Sequence, residues 1–465
     1  MKIILIISVC YLAAASAFRF DIPELPVNAN GTSWAFLAAG GNGFSLDWSI
    51  QADVYHAFQV FKARGVPEEN IIVMHLDNQA TKKSNPKPGT VINVPGGPDV
   101  YHGVPKHYTG LEVTAKNFLG VLRGDETLKQ QGKKVLESGP NDNVFVYFMD
   151  HGGHQLVAFP HGGYMYAKDL IATFKEMYAN KKYQKLVFYL EACESGSMFN
   201  TLLPQDINVY AVTSSTPTQS SWAWGYDKVY KEYTAGYFAS QWLKNTEEKQ
   251  TESLDDQFEY IKTKTAEDYH DPQSGQKWHQ NAQHYGDLTV AKQDIGQYEG
   301  PKQFKSEVNT DSDDEHREVE EIVSLRDVTV AMAQKAIVQS LTNEDKLQAV
   351  DQLKQILTGR QLVDKHFLEF ATDLEQLTGL DSQLLVNQRQ ELLTEGSGDC
   401  YQQFVDTFHS KCFNIIENPY VLGKLNVFVN ICEHLTARQQ AIALNQLVGQ
   451  CETTNTIVGK PEHII

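Results

Sequence analysis

Two short apolar runs, each ending in a polar residue and then a reactive one, set the tightest limit on how this chain can fold. Residues 185–198 read KLVFYLEACESGSM: five unbroken apolar residues, then Glu191 and Cys193. Residues 142–150 read DNVFVYFMD, followed by His151-Gly152-Gly153. Apolar runs of this length suit strands buried on both faces of a parallel sheet. Open α/β sheets bind ligands just past the carboxyl ends of such strands. If the two strands are parallel neighbours, Cys193 and His151 meet at one edge. A thiol in reach of an imidazole forms a nucleophile with its general base.

The flanking sequence agrees with such a sheet. Residues 34–39, 70–76 and 208–212 read as further strands, and 52–61, 115–122 and 167–178 carry apolar residues at helical spacing. This alternation predicts a parallel-rich α/β sheet with helices on both faces. Residues 77–110, rich in Pro, Gly and Asn, read as a long irregular excursion. The domain is expected to end near Gly300. A charged, polar stretch follows, with the acidic block 311–321 (DSDDEHREVEE) as a solvated linker. Beyond it strands vanish. Residues 328–340, 344–357, 361–377, 421–435 and 437–447 predict a second, all-helical domain. Arg123-Gly124-Asp125 reads as a helix end followed by a capping Asp.

With 42% hydrophobic residues the chain can bury a large core, and its formal net charge of −18 argues against nucleic acid as a partner. Residues 1–17 have the pattern of a secretory signal peptide: Lys2, an apolar core, then Ala15-Ser16-Ala17. No later stretch reaches the roughly 18 apolar residues of a membrane span. A soluble protein of the secretory pathway is expected, secreted or held in a lysosome or vacuole, with Asn30 in Asn30-Gly31-Thr32 as a glycosylation acceptor. In that oxidising compartment Cys400, Cys412, Cys432 and Cys451 imply two disulfides, with three pairings open. Cys193 is left as a free thiol. His151, His154 and His161 lack the spacing of a metal site.

Asp150-His151-Gly152 and residues 191–198 (EACESGSM) resemble the His and Cys motifs of legumains, the asparaginyl endopeptidases. Residues 96–110 and 117–125 and the tail cysteines resemble the same family. The resemblance implies a caspase-like fold, a cysteine endopeptidase without a cofactor, and a helical prodomain that covers the active site as an intramolecular inhibitor. It divides the chain into a signal peptide (1–17), a peptidase domain (18–300), an acidic activation segment (301–343) and a prodomain (344–465). It pairs Cys400 with Cys432 and Cys412 with Cys451, and places processing sites at Asn343 and Asn309. Cys193 would be the nucleophile and His151 the proton shuttle. Gly152 would supply an oxyanion-hole N–H, and Asp47 would stand where legumains use an Asn to orient the imidazole.

The specificity pocket departs from the family. Legumains hold the Asn side chain between an Arg and two carboxylates. Here Glu191 fills one carboxylate position, and Ser220 and Ser221 match a serine pair. The Arg position falls on Ser49, the next residue is Ile50, and the second carboxylate position falls on Gly236. A pocket with Glu191 and no Arg is expected to turn toward a basic or a small polar side chain. Two other readings remain open: an altered homologue that binds peptides or inhibits proteases, and a transpeptidase that joins peptides through the same thioester.

Overall fold

A computed structural model describes residues 31–41, 48–266, 269–270, 277–278, 280–302, 322–394 and 396–458. The signal-peptide segment, Asn30, Asp47 and Asn309 lie outside these residues. A seven-stranded sheet runs in the order Gln283–Gly286, Val209–Thr213, Lys185–Glu191, Asn143–Met149, Ser33–Ala39, Ile71–His75, Tyr108–Thr109. All neighbours are parallel except the Gln283–Gly286 edge strand. The cysteine and histidine strands sit side by side near the middle.

Alternation along each strand explains why both faces are covered. In the Ser33–Ala39 strand, Ala35, Leu37 and Ala39 enter one apolar cluster. Phe36 and Ala38 enter the other. One cluster takes its helical cover from Trp48–Ala63, Tyr237–Glu248 and Leu254–Thr265. The other takes it from Ala115–Arg123 and Ala167–Ala179. Within 123–125, Gly124 ends a helix at φ 68° and Asp125 caps the next, accepting from the N–H groups of Thr127 and Leu128.

The tail is helical with its own apolar core, including Val363, Phe367, Phe404, Phe408 and Phe428. Cys400 pairs with Cys432 and Cys412 with Cys451, at Cα separations of 5.8 and 4.7 Å. Two expectations need correction. Residues 344–357 and 361–377 are one helix, Asn343–Thr378. Gly359 costs such a helix only about 1 kcal/mol, and the buried Val363, Phe367, Phe370 and Leu374 hold its second half in the tail core. Strands were expected to vanish beyond the acidic block, yet Val323–Ser324 forms one; Val328–Gln339 is the helix expected at 328–340. No helix among the described residues is long and apolar enough to cross a membrane.

One buried cation ties the far end of the peptidase domain together. Arg64, fully buried, donates to the carbonyls of Thr246 and Lys249 (both 2.8 Å), Gly300 (3.1 Å), and Glu299 and Gln250 (both 3.3 Å). Arg64→Met removes the donors and leaves the carbonyls buried, so it is expected to cost about 3–5 kcal/mol. Chemical denaturation of the purified variant measures it.

Candidate active site

Strand register builds the site. Met149 lies opposite Glu191 in the parallel pair, so His151 and Cys193 each fall two residues past a matched pair. The two loops then touch. A Cβ on Gly152 would lie 2.3 Å from the Cys193 carbonyl oxygen, so only glycine lets the backbones come this close. The Gln155 N–H donates to Ser197 Oγ (2.7 Å), pinning the histidine loop to the cysteine loop. Ser214 and Ser215 hydroxyls both donate to the Ala192 carbonyl, at 3.2 and 3.0 Å, and fix the residue before the nucleophile. Glu194 sits at φ 52°, its N–H held by the Gln219 carbonyl at 2.7 Å, and turns the chain sharply after Cys193.

Cys193 is the one free cysteine among the described residues, and it is buried. Its Sγ accepts from the Ser221 N–H at 3.3 Å. Burial pushes the thiol pKa up, against the nearby Arg326 charge, which lowers it. Burial, with Arg326 adding to it, holds His151 down at about 4. Among the described residues neither ring nitrogen of His151 has a hydrogen-bond partner. The closed chain therefore keeps a neutral thiol beside a neutral imidazole.

What closes the site is the segment between the two domains. Val323–Ser324 pairs antiparallel with Trp222–Asp227, Ser324 opposite Trp222 and Val323 opposite Ala223. The Leu325 N–H continues the ladder to the Ser221 carbonyl at 3.0 Å. Ser221 is thus bonded to Cys193 through its N–H and to Leu325 through its C=O. Arg326 then crosses the cleft. Its guanidinium donates to Glu194 through both terminal nitrogens, one bond at 2.9 Å, and to the Gly152 carbonyl at 2.7 Å. Arg360, on the long tail helix, bonds the Asp327 carboxylate and the Arg326 carbonyl. Nothing in the sequence marked Val323–Arg326: a two-residue strand has no periodicity of its own.

The structure brings Glu191 and Gly236 together and sets Ser220 beside the thiol. Glu191 is fully buried and accepts from Tyr147 Oη (2.9 Å) and from the N–H groups of Phe238 (3.1 Å) and Ala239 (3.0 Å). Both its oxygens are engaged by the protein, two of the donors coming from the first turn of the Tyr237–Glu248 helix. Asp53, also fully buried, accepts from Asn93 Nδ2 (2.6 Å) and the Gly236 N–H (2.8 Å). Burial raises both carboxyls, and the Glu191 charge raises Asp53 further. Among the described residues no basic side chain pairs with either. Ser49 and Ile50 are buried in the first turns of the Trp48–Ala63 helix. Ser220 is half-buried beside the thiol, and its hydroxyl favours the thiolate. Tyr147 and Asp53 were missed because only the fold brings them to Glu191.

Gly236 gives the sharpest test. A Cβ there would lie only 2.2 Å from Glu191 Oε1. Gly236→Asp forces Glu191 out of its cradle and adds a third buried carboxylate. It is expected to destabilise the peptidase domain by roughly 3 kcal/mol and to yield no cleavage after Asn, even combined with Ser49→Arg. Thermal melts and peptide digests of the single and double variants check both halves.

Comparison with known proteins agrees with this geometry. Residues 33–302 match the Peptidase C13 family model, and residues 351–448 match the legumain prodomain model. Legumain of Rattus norvegicus is 35% identical over 441 residues, covering 93% of this chain and 95% of its own. Legumain of Homo sapiens is 36% identical over 427 residues, covering 90% and 92%. A vacuolar-processing enzyme of Vicia sativa is 35% identical over 442 residues, covering 89% and 85%. With a peptidase domain and a prodomain both matched along their length, the chain belongs to the peptidase C13 family, as a legumain-type cysteine endopeptidase that carries its own prodomain.

Proposed function

We propose that the protein is made as a zymogen in the secretory pathway, works in a lysosome, a vacuole or outside the cell, and hydrolyses peptide bonds through a thioester on Cys193. The observation that supports this most is the tail strand. Val323–Ser324 and the Leu325 N–H bond to the chain beside Cys193 as an added β-strand, the way an extended peptide docks on an open sheet edge. In the reaction, Cys193 Sγ attacks the scissile carbonyl carbon and its proton passes to His151. The N–H groups of Gly152 and Cys193 hold the oxyanion. The C–N bond then breaks and the amine leaves with the proton from His151. Water, losing a proton to His151, next releases the acid and restores the thiol. Asp47, by this reading, orients the imidazole.

The same geometry supports an order for the steps of activation. Asn343 is exposed at the start of the long helix. Cutting there separates Arg360 from Asp327 in sequence but leaves Val323–Arg326 attached to the peptidase domain. Cutting at Asn309, on the other side of the strand, frees strand and tail together. The second cut is therefore the productive one.

Acid favours opening. The closed form holds His151 and His154 at about 4, each by burial first and then by a tail arginine: Arg326 for His151, Arg389 for His154. The ordinary value is 6.5. Between those values the open form binds more protons. Stability of closure is fully present above 6.5 and is lost as pH falls toward 4, by about 1.4 kcal/mol per pH unit for each imidazole. Full-length protein is expected to gain peptidase activity only in acid. His154→Gln is expected to shift that onset to lower pH and flatten it, and activity measured across the pH range reads both. Cys193→Ala and His151→Ala are each expected to lower activity by about a thousand-fold or more, with little further loss when combined. Residual activity in clean Cys193→Ala protein would overturn the mechanism.

A further inference from the structure

The chain's own occupant of the cleft shows what the cleft is built to hold. Leu325 donates its N–H to the carbonyl of Ser221, whose own N–H reaches Cys193 Sγ. It is therefore the residue of the bound strand that stands level with the nucleophile. Its side chain is 3% exposed and belongs to the apolar cluster that also contains Cys193, Trp48 and Ile50. The polar groups that the described residues leave beside the thiol are few: the half-buried Ser220 hydroxyl and the buried Ser221 Oγ. Glu191 spends both oxygens on Tyr147, Phe238 and Ala239, and Asp53 is taken up by Asn93 and Gly236. A buried amide side chain would find only these hydroxyls and keep others of its donors and acceptors unpaired, which penalises it. An aliphatic side chain leaves nothing unpaired.

The next residue is held quite differently. The Arg326 side chain, one-tenth exposed (10%), lies between Glu194 and the Gly152 carbonyl, in the loop that follows Cys193 and the loop that follows His151 respectively. Glu194 is itself buried and directly follows the nucleophile, so it offers a carboxylate to whatever residue lies just beyond the scissile bond. A bidentate guanidinium fits that carboxylate better than any neutral side chain.

We propose that the active cleft selects an aliphatic residue before the scissile bond and a basic residue after it, and that Leu325-Arg326 is the intramolecular copy of that pattern. Leu325 thus marks the specificity pocket and Glu194 is a specificity-determining residue of the leaving-group side. This rests on the proteolytic reading given above, and the experiment separates the two.

Acid-activated full-chain protein is given quenched-fluorescence peptides of one frame, Ile-Val-Ser-X-Y-Asp, with X as Leu, Asn, Asp or Arg and Y as Arg or Glu. Cys193→Ala protein treated alike serves as the blank, and mass spectrometry locates each cut. The expected result is cleavage between X and Y, with kcat/KM for Leu-Arg above Asn-Arg by about tenfold or more. Glu194→Gln is expected to lower kcat/KM for Leu-Arg by roughly tenfold while its effect on Leu-Glu is small, which loss of a merely structural contact would not reproduce. Cys193-dependent cleavage that favours Asn overturns the proposal and leaves the proteolytic reading standing. Failure of every peptide to be cut in a Cys193-dependent way overturns both.

Discussion

The parallel pairing of the cysteine and histidine strands is the constraint on which the rest depends. Once Met149 is opposite Glu191, two loops of unrelated sequence leave the sheet at the same height. They approach so closely that position 152 admits no side chain. A slip of one residue would turn every apolar side chain of a strand to the wrong face, and clusters on both faces hold it in place. Packing energy spent throughout the sheet thereby fixes the relative position of a thiol and an imidazole that make no direct hydrogen bond with each other.

Charge is arranged around that pair to keep it inert in the closed chain. Arg326 faces Glu194 across the cleft, and Arg360 holds the same segment from behind. Burial dominates the titration of both reacting groups, so the removal of the segment matters chiefly by readmitting water. The buried carboxyls at Glu191 and Asp53 respond in the opposite sense. Their folded values are raised, so the stability they contribute is present in acid and is lost as pH rises toward about 8, where Glu191 gives up its proton. Conditions that loosen the tail therefore firm the pocket wall.

The sheet was legible because each strand is a compact apolar run with a polar end, and so were the cysteine and histidine it carries. The tail pairing followed the family resemblance. Three features were not legible, each for a physical reason. Residues 344–357 and 361–377 read as two helical segments, yet neighbouring core contacts carried one helix through Gly359 between them. The Val323–Ser324 strand depends on a partner a hundred residues earlier in the chain, at Trp222 and Ala223, so no local pattern announces it. Glu191 was readable as a carboxylate in the pocket, but its orientation is set by Tyr147 and by the N–H groups at the start of the Tyr237–Glu248 helix. Asp47, which resemblance set beside His151, lies outside the described residues.

The two disulfides close loops of 32 and 39 residues, and both lie wholly within the tail. Neither joins the tail to the sheet. While the chain is intact, the blocking strand competes for the cleft as a tethered ligand, at an effective concentration set by the connecting segment. A cut before Val323 converts that tether into a free partner that keeps its own cross-linked core. Its hold then obeys mass action, so dilution alone would finish what proteolysis begins.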